Sequence, residues 1–168
     1  MPNPVFGARD TDPWNEAWTA LAALAEATSH IRLGVLVTSL ALHYIQDIAG
    51  VFSAVHRALV PGGPLIFSIE HPINMAPRHP EWTIDSHGHK TWPLNQYSLE
   101  DPRITNWLAE GVVKQHRTHG TILNHLIRSG FAIACIEEWA PTDEQIAAKP
   151  ELIDERERPM FLLVAARR

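Results

Sequence analysis

A single cysteine, Cys135, stands in the whole chain. One thiol excludes an internal disulfide and a thiolate metal cage. Its apolar neighbours read as a core strand, so Cys135 is expected to be buried. Basic residues are also short. Fourteen Lys and Arg face nineteen Asp and Glu, a net charge of −5. A phosphate-backbone binder needs the opposite surplus, so no nucleic-acid partner is expected. No apolar run nears the ~20 residues that cross a bilayer. Met-Pro-Asn-Pro reaches Arg9 and Asp10 before any apolar stretch, unlike a secretory leader. The expectation is a cytoplasmic protein with no membrane partner. Glycine-rich signatures are missing too: there is no G-x-G-x-x-G, no G-x-x-x-x-G-K and no G-x-S-x-G. Gly62 and Gly63 follow Pro61 and read as a turn.

What remains is an ordinary globular composition. The chain has 168 residues, 45% apolar and 20% charged, enough for one packed domain. Asp12-Pro13 marks a helix start, and Trp14, Ala17, Trp18, Leu21, Leu24 and Ala25 keep helical spacing over about 13–29. Residues 31–37 are a short, nearly continuous apolar run, which suits a strand covered on both faces. Asp47 can cap a helix from Ile48 to Leu59, with Ile48, Val51, Phe52 and Val55 on one stripe. Leu65–Ile69 reads as the next strand, completing a right-handed βαβ unit. Residues 70–111 hold five prolines and little periodicity. So long an irregular stretch is usually functional. Thr118 or Thr121 opens a helix to Arg128, Ser129-Gly130 ends it, and residues 131–136 form a third strand. Thr142 with Gln145 predicts a capping box. Residues 159–165 read as the last strand.

Open α/β sheets bind ligands at the carboxyl ends of their strands. Two clusters fall there: His43-Tyr44 after the first strand, and Glu70-His71-Pro72 after the second. A carboxylate and imidazoles in such a crevice can orient a substrate or move a proton. The plain alternative is that Glu70 or His71 pairs with a backbone group or an arginine. His116, Arg117 and Thr118 either line the same crevice or form a solvated helix start. No metal site is expected: His87-Gly-His89 lacks a third ligand at suitable spacing. Glu137-Glu138 and the run 154–158 read as solvated faces.

From about residue 36 to 168 the chain resembles the C-terminal half of a class I S-adenosylmethionine-dependent methyltransferase. The resemblance rests on Val37-Thr-Ser-Leu-Ala-Leu-His-Tyr44, Leu59-Val-Pro-Gly-Gly63 and Phe67-Ser-Ile-Glu-His-Pro72. It continues through Val113-Lys-Gln-His-Arg-Thr118, Ser129-Gly-Phe131 with Glu137-Glu-Trp139, and Arg158-Pro-Met-Phe-Leu-Leu-Val164. It implies an α/β, Rossmann-like sheet, truncated, mainly parallel with an antiparallel last strand. It implies S-adenosylmethionine as cofactor and a small-molecule methyl acceptor. Ser39, Leu40, Ala41, Leu42 and His43 would pass beside the cofactor. His43, Tyr44, Glu70, His71 and His116 would face the acceptor. The glycine-rich turn and the ribose-binding acid of such enzymes have no counterpart upstream, so weak cofactor binding by this chain alone is expected. The first 38 residues instead resemble a fragment of a luciferase-like, flavin-type monooxygenase, carried by Asp12-Pro-Trp14, residues 16–28 and Ile31-Arg-Leu-Gly-Val-Leu-Val-Thr38. A fused reading frame follows as the expectation, with an exposed sheet edge open to self-association. The rival readings are a monooxygenase remnant and a non-catalytic interaction module whose His-rich loop recruits a partner.

Overall fold

The computed structural model describes residues 32–106 and 110–168. The helix expected at 13–29, and most of the segment resembling a monooxygenase, lie outside the described residues. Strand β1 (Leu36–Ser39) is followed by a single 3-10 turn at Leu42–Tyr44. Helix α1 (Ile48–Ala58) begins where Asp47 accepts a hydrogen bond from the Gly50 N–H at 2.8 Å. That side chain satisfies one of the orphan donors of the first turn. Strand β2 (Pro64–Glu70) leads into a four-residue helix, α2 (Pro72–Met75), capped by His71.

Two hairpins then occupy the stretch expected to be irregular. They are β3 (Thr83–Ile84) with β4 (Lys90–Thr91), and β5 (Pro102–Thr105) with β6 (Val112–Gln115). Arg103, only 2% exposed, organises this region. Its guanidinium donates to the carbonyls of Ala76 at 2.9 Å and Leu99 at 2.8 Å and pairs with Asp101. Five donors in a fixed fork tie loop carbonyls that have no ladder partner. Helix α3 (His119–Arg128) opens on Thr118, whose Oγ1 accepts from the Thr121 N–H at 3.2 Å. Strand β7 (Ala132–Glu138), helix α4 (Asp143–Ala148), a 3-10 turn at Pro150–Ile153, helix α5 (Asp154–Glu157) and strand β8 (Phe161–Arg167) complete the described chain. The capping box expected at Thr142 and Gln145 is present.

The main sheet has the order β1-β2-β8-β7. Strands β1 and β2 are parallel, with Ser39 beside Ser68. Strand β8 runs antiparallel to both neighbours, so three of the four strands share one direction. The side-by-side pairing of the segments ending at 39 and 69 therefore stands, as does the antiparallel last strand. Helices α1 and α3 cover one face. Phe52, Leu59, Leu65, Phe67, Leu126, Leu162 and Val164 are all at most 1% exposed there. Burying each such side chain stabilises the fold by about 2 kcal/mol.

Three expectations need correction. The first strand starts at Leu36 rather than Ile31; Leu33 makes only an isolated bridge to Leu59. The opposite sheet face is not covered by described residues: Val37 is 66% exposed and Ile66, beside it, 41%. Cys135 is exposed, because it pairs with Ala165 on β7, at the sheet's edge and on that open face. An apolar run in sequence does not say which face the packing helices take.

Gly130 ends α3 at φ +94°, and a Cβ there would lie 2.9 Å from His56 Nε2. Gly130→Ala is expected to lower stability by about 1–2 kcal/mol through backbone strain alone. Urea denaturation measures it; an unchanged midpoint would show that the turn relaxes freely.

Candidate functional site

The carboxyl ends of β1 and β2 deliver the two predicted clusters side by side. Leu40 leaves β1 with φ +50°, a conformation rare for a leucine. Strain of this kind at a strand end often accompanies a site. It turns the chain into the short 3-10 segment that buries Leu42 and His43. Ser39 Oγ meets Ser68 Oγ at 2.9 Å across the two strands.

His43 is 2% exposed. Its Nδ1 accepts the Glu70 backbone N–H at 3.2 Å. An accepting Nδ1 leaves the proton on Nε2 in the neutral ring. That Nε2 is buried and has no hydrogen-bond partner among the described residues. Burial, with the Lys114 charge adding to it, pushes the His43 pKa down to about 3. His43 thus offers a neutral N–H donor and no free lone pair. It lines a small cavity with Ile69, Glu70, Gln115, Arg117 and Ile122.

Glu70 is engaged by its neighbours. Lys114, 2% exposed along its side chain, donates to Oε2, and Asn74 donates to Oε1 at 2.7 Å. Burial and the nearby Glu70 charge raise the Tyr44 pKa, so its phenol stays neutral; its ring lies tilted against His43, centroids 4.3 Å apart. Arg117 donates to the carbonyls of Ile45 at 2.6 Å and Gln46 at 2.7 Å, fastening β6 to the loop before α1. It belongs to the cavity wall and is not a solvated helix start.

His71 and His116 are deeply buried. His71 Nδ1 caps α2 by accepting the Ile73 N–H at 3.1 Å, and Nε2 lies 3.1 Å from Glu138 Oε1. His116 Nε2 donates to the Tyr97 carbonyl at 2.8 Å. Burial lowers the pKa of both rings. Among the predicted residues, His43, Tyr44 and Glu70 are brought together. His71 and His116 turn their Nε2 atoms to protein partners instead.

Sequence reasoning missed Lys114, Asn74, His119 and Glu138. Glu138 is half-exposed but is not merely a solvated carboxylate: His71 and His119 both approach its Oε1, at 3.1 and 3.2 Å. The one available signal was the adjacency of Glu137-Glu138 to a strand end.

His71, His119 and Glu138 also meet a distance test for metal ligands, with ligand atoms within 4.8 Å of one another. The tautomers oppose it. The Ile73 N–H takes the lone pair of His71 Nδ1, so Nε2 carries the proton and has no lone pair for a cation. Exposed His87 and His89 follow Asp85 in the β3–β4 hairpin, where His89 Nδ1 lies 3.0 Å from its carboxylate.

The strand order, with ligand-side clusters at the carboxyl ends of parallel strands, defines a Rossmann-like α/β fold. No protein-family model matches the chain. An S-adenosylmethionine-dependent methyltransferase of Mesorhizobium loti is 59% identical and superposes with a TM-score of 0.76 over 82% of this chain and 62% of its own. An S-adenosylmethionine-dependent methyltransferase of Clostridium acetobutylicum, 13% identical with a TM-score of 0.53 over 86% and 61%, shares the fold. An uncharacterized protein of Haemophilus influenzae is 36% identical over 150 residues, 88% of this chain and 57% of that one. The chain spans about three-fifths of the length of these relatives. They lend no support to a monooxygenase segment. Among the described residues no helix is long and apolar enough to cross a membrane.

Proposed function

We propose that the chain builds the acceptor side of an S-adenosylmethionine-dependent methyltransferase site and that the methyl group goes to a small-molecule nucleophile. The supporting observation is the 59% identity to the Mesorhizobium loti methyltransferase over 82% of this chain. One feature of the site suits the cofactor: a buried, unpartnered donor, His43 Nε2, beside the loop 39–43. On this reading residues 36–168 are the C-terminal part of the methyltransferase domain, and Ser39, Leu40, Ala41, Leu42 and His43 pass beside the cofactor.

S-adenosylmethionine supplies a sulfonium methyl group for in-line displacement, so the protein's share is placement and exclusion of water. His43 donates to an acceptor atom of the bound molecules and does not remove a proton. Tyr44 offers a neutral phenol. Glu70, held by Lys114 and Asn74, fixes the backbone N–H that sets the His43 tautomer. His71 and His116 are positioning residues.

The test is NMR titration of the full chain with S-adenosylmethionine, following the His43 ring and the amides of 39–43. Saturable shifts confined to these residues, with a Kd near 1 mM (about 4 kcal/mol), are expected. No shift at His43 would overturn the reading. Micromolar binding would overturn the expectation that the described residues hold only one side of the cofactor.

A further inference from the structure

Two members of one cluster, His119 and Glu138, have no role in the proposed methyl transfer. At the carboxyl end of β7, Glu138 is 53% exposed along its side chain, yet two largely buried imidazoles converge on one of its oxygens. His71 is fully buried and His119 three-quarters so. His71 Nε2 carries the proton, because the Ile73 N–H occupies Nδ1, and it donates to Glu138 Oε1. His119 Nε2 lies 3.2 Å from the same oxygen without hydrogen-bond geometry, and its Nδ1 lies 3.2 Å from the Tyr97 hydroxyl. The Tyr97 hydroxyl also accepts the His119 backbone N–H at 3.1 Å, so one hydroxyl fixes both the backbone and the Nδ1 end of the ring.

The charges do not cancel. Burial lowers the pKa of both imidazoles, so they stay neutral near pH 7. Among the described residues no Lys or Arg pairs with Glu138, and its Oε2 has no hydrogen-bond partner there. The His71 Nε2–H fixes the direction of the carboxylate through Oε1. Orienting an exposed carboxylate with buried groups costs solvation, which a solvated surface residue would not require. The location is informative as well. His71 sits between Glu70 and Pro72, both of which line the His43 cavity.

We propose that Glu138, hydrogen-bonded by His71 and flanked by His119, is a subsite for an ammonium group carried by the methyl acceptor. This rests on the methyltransferase reading. The ammonium is a handle distinct from the atom that receives the methyl group, since a protonated amine has no lone pair with which to attack a sulfonium methyl. Glu138 binds it through Oε2; the imidazoles act through Glu138 and are positioning residues.

The experiment uses the full chain with 15N-labelled histidine and three probes of one shape: phenethylamine, 2-phenylethanol and phenylacetate. The nitrogen shifts are expected to report an Nε2–H tautomer for His71. Phenethylammonium should shift both rings saturably, while the alcohol and the carboxylate should bind at least tenfold more weakly. Glu138→Gln, which keeps the shape, should weaken phenethylammonium binding at least tenfold with the fold's NMR spectrum retained. Equal binding of the alcohol, or an unchanged affinity in Glu138→Gln, would overturn the subsite. Zinc that binds with loss of the Nε2–H signals would overturn it in favour of a metal. Shifts of the His43 ring by S-adenosylmethionine are read separately, so failure here leaves the proposed activity standing or falling on its own.

Discussion

Between pH 6.5 and 4 the folded protein is expected to lose roughly 3 kcal/mol of stability through His43 alone, at 1.36 kcal/mol per pH unit. The sign follows from its surroundings. Burial and the Lys114 charge hold the folded pKa near 3, against an ordinary value of 6.5. Below pH 6.5 the unfolded chain takes up a proton that the folded ring refuses, so acid favours unfolding down to about pH 3. His71, His116 and His119 are shifted the same way, each chiefly by burial, and add to the slope. Against a typical domain stability of about 5–15 kcal/mol, acid unfolding well above pH 3 follows. Urea melts across this range measure the slope. His43→Gln keeps a side-chain donor and removes the titration, so its slope should be shallower. If that variant does not fold, the His43 ring titration in the native chain decides: a ring that protonates near pH 6 would refute the buried-neutral assignment.

Lys114→Met is expected to cost about 3–5 kcal/mol, the range for removing one partner of a buried ion pair. Lys114 and Glu70 are 2% and 12% exposed along their side chains, so neither charge has water to fall back on. The loss comes from stranding Glu70, whose carboxylate retains only the Asn74 amide among the described residues. Replacing both partners, Lys114→Met with Glu70→Gln, should recover much of it. A double-mutant cycle with a coupling energy above about 1 kcal/mol is the expected outcome. Additive losses would mean that the pair does not act as a unit. The pair also anchors the cavity wall, because Glu70 carries both the carboxylate and the backbone N–H that accepts or donates there.

The helices were legible because their signals are local. Asp47 before Ile48, Thr118 before His119 and the Thr142–Gln145 box each cap a helix within one turn of themselves. The parallel pairing of β1 and β2 was also legible, since a strand, a helix and a glycine turn leave few alternatives. The hairpins between 83 and 115 were not. Their strands are as short as two residues, and Arg103 holds the region through carbonyls that carry no sequence signature. The solvent side of the sheet was misread for a related reason: Val35, Val37 and Cys135 look like core residues until the packing helices choose a face.

The candidate site divides along the same line. Composition and order alone placed His43, Tyr44, Glu70 and His71 at strand ends, because strand ends follow from local patterns. They left open which imidazole donates, which accepts and which carboxylate keeps its charge. Those roles depend on partners far away in the chain: 27 residues separate His43 from Glu70, and 67 separate His71 from Glu138. A proton's position on a ring is set by whichever group the fold brings within 3 Å of it, and only the packed sheet, with α2 and α3 against its end, brings those groups there.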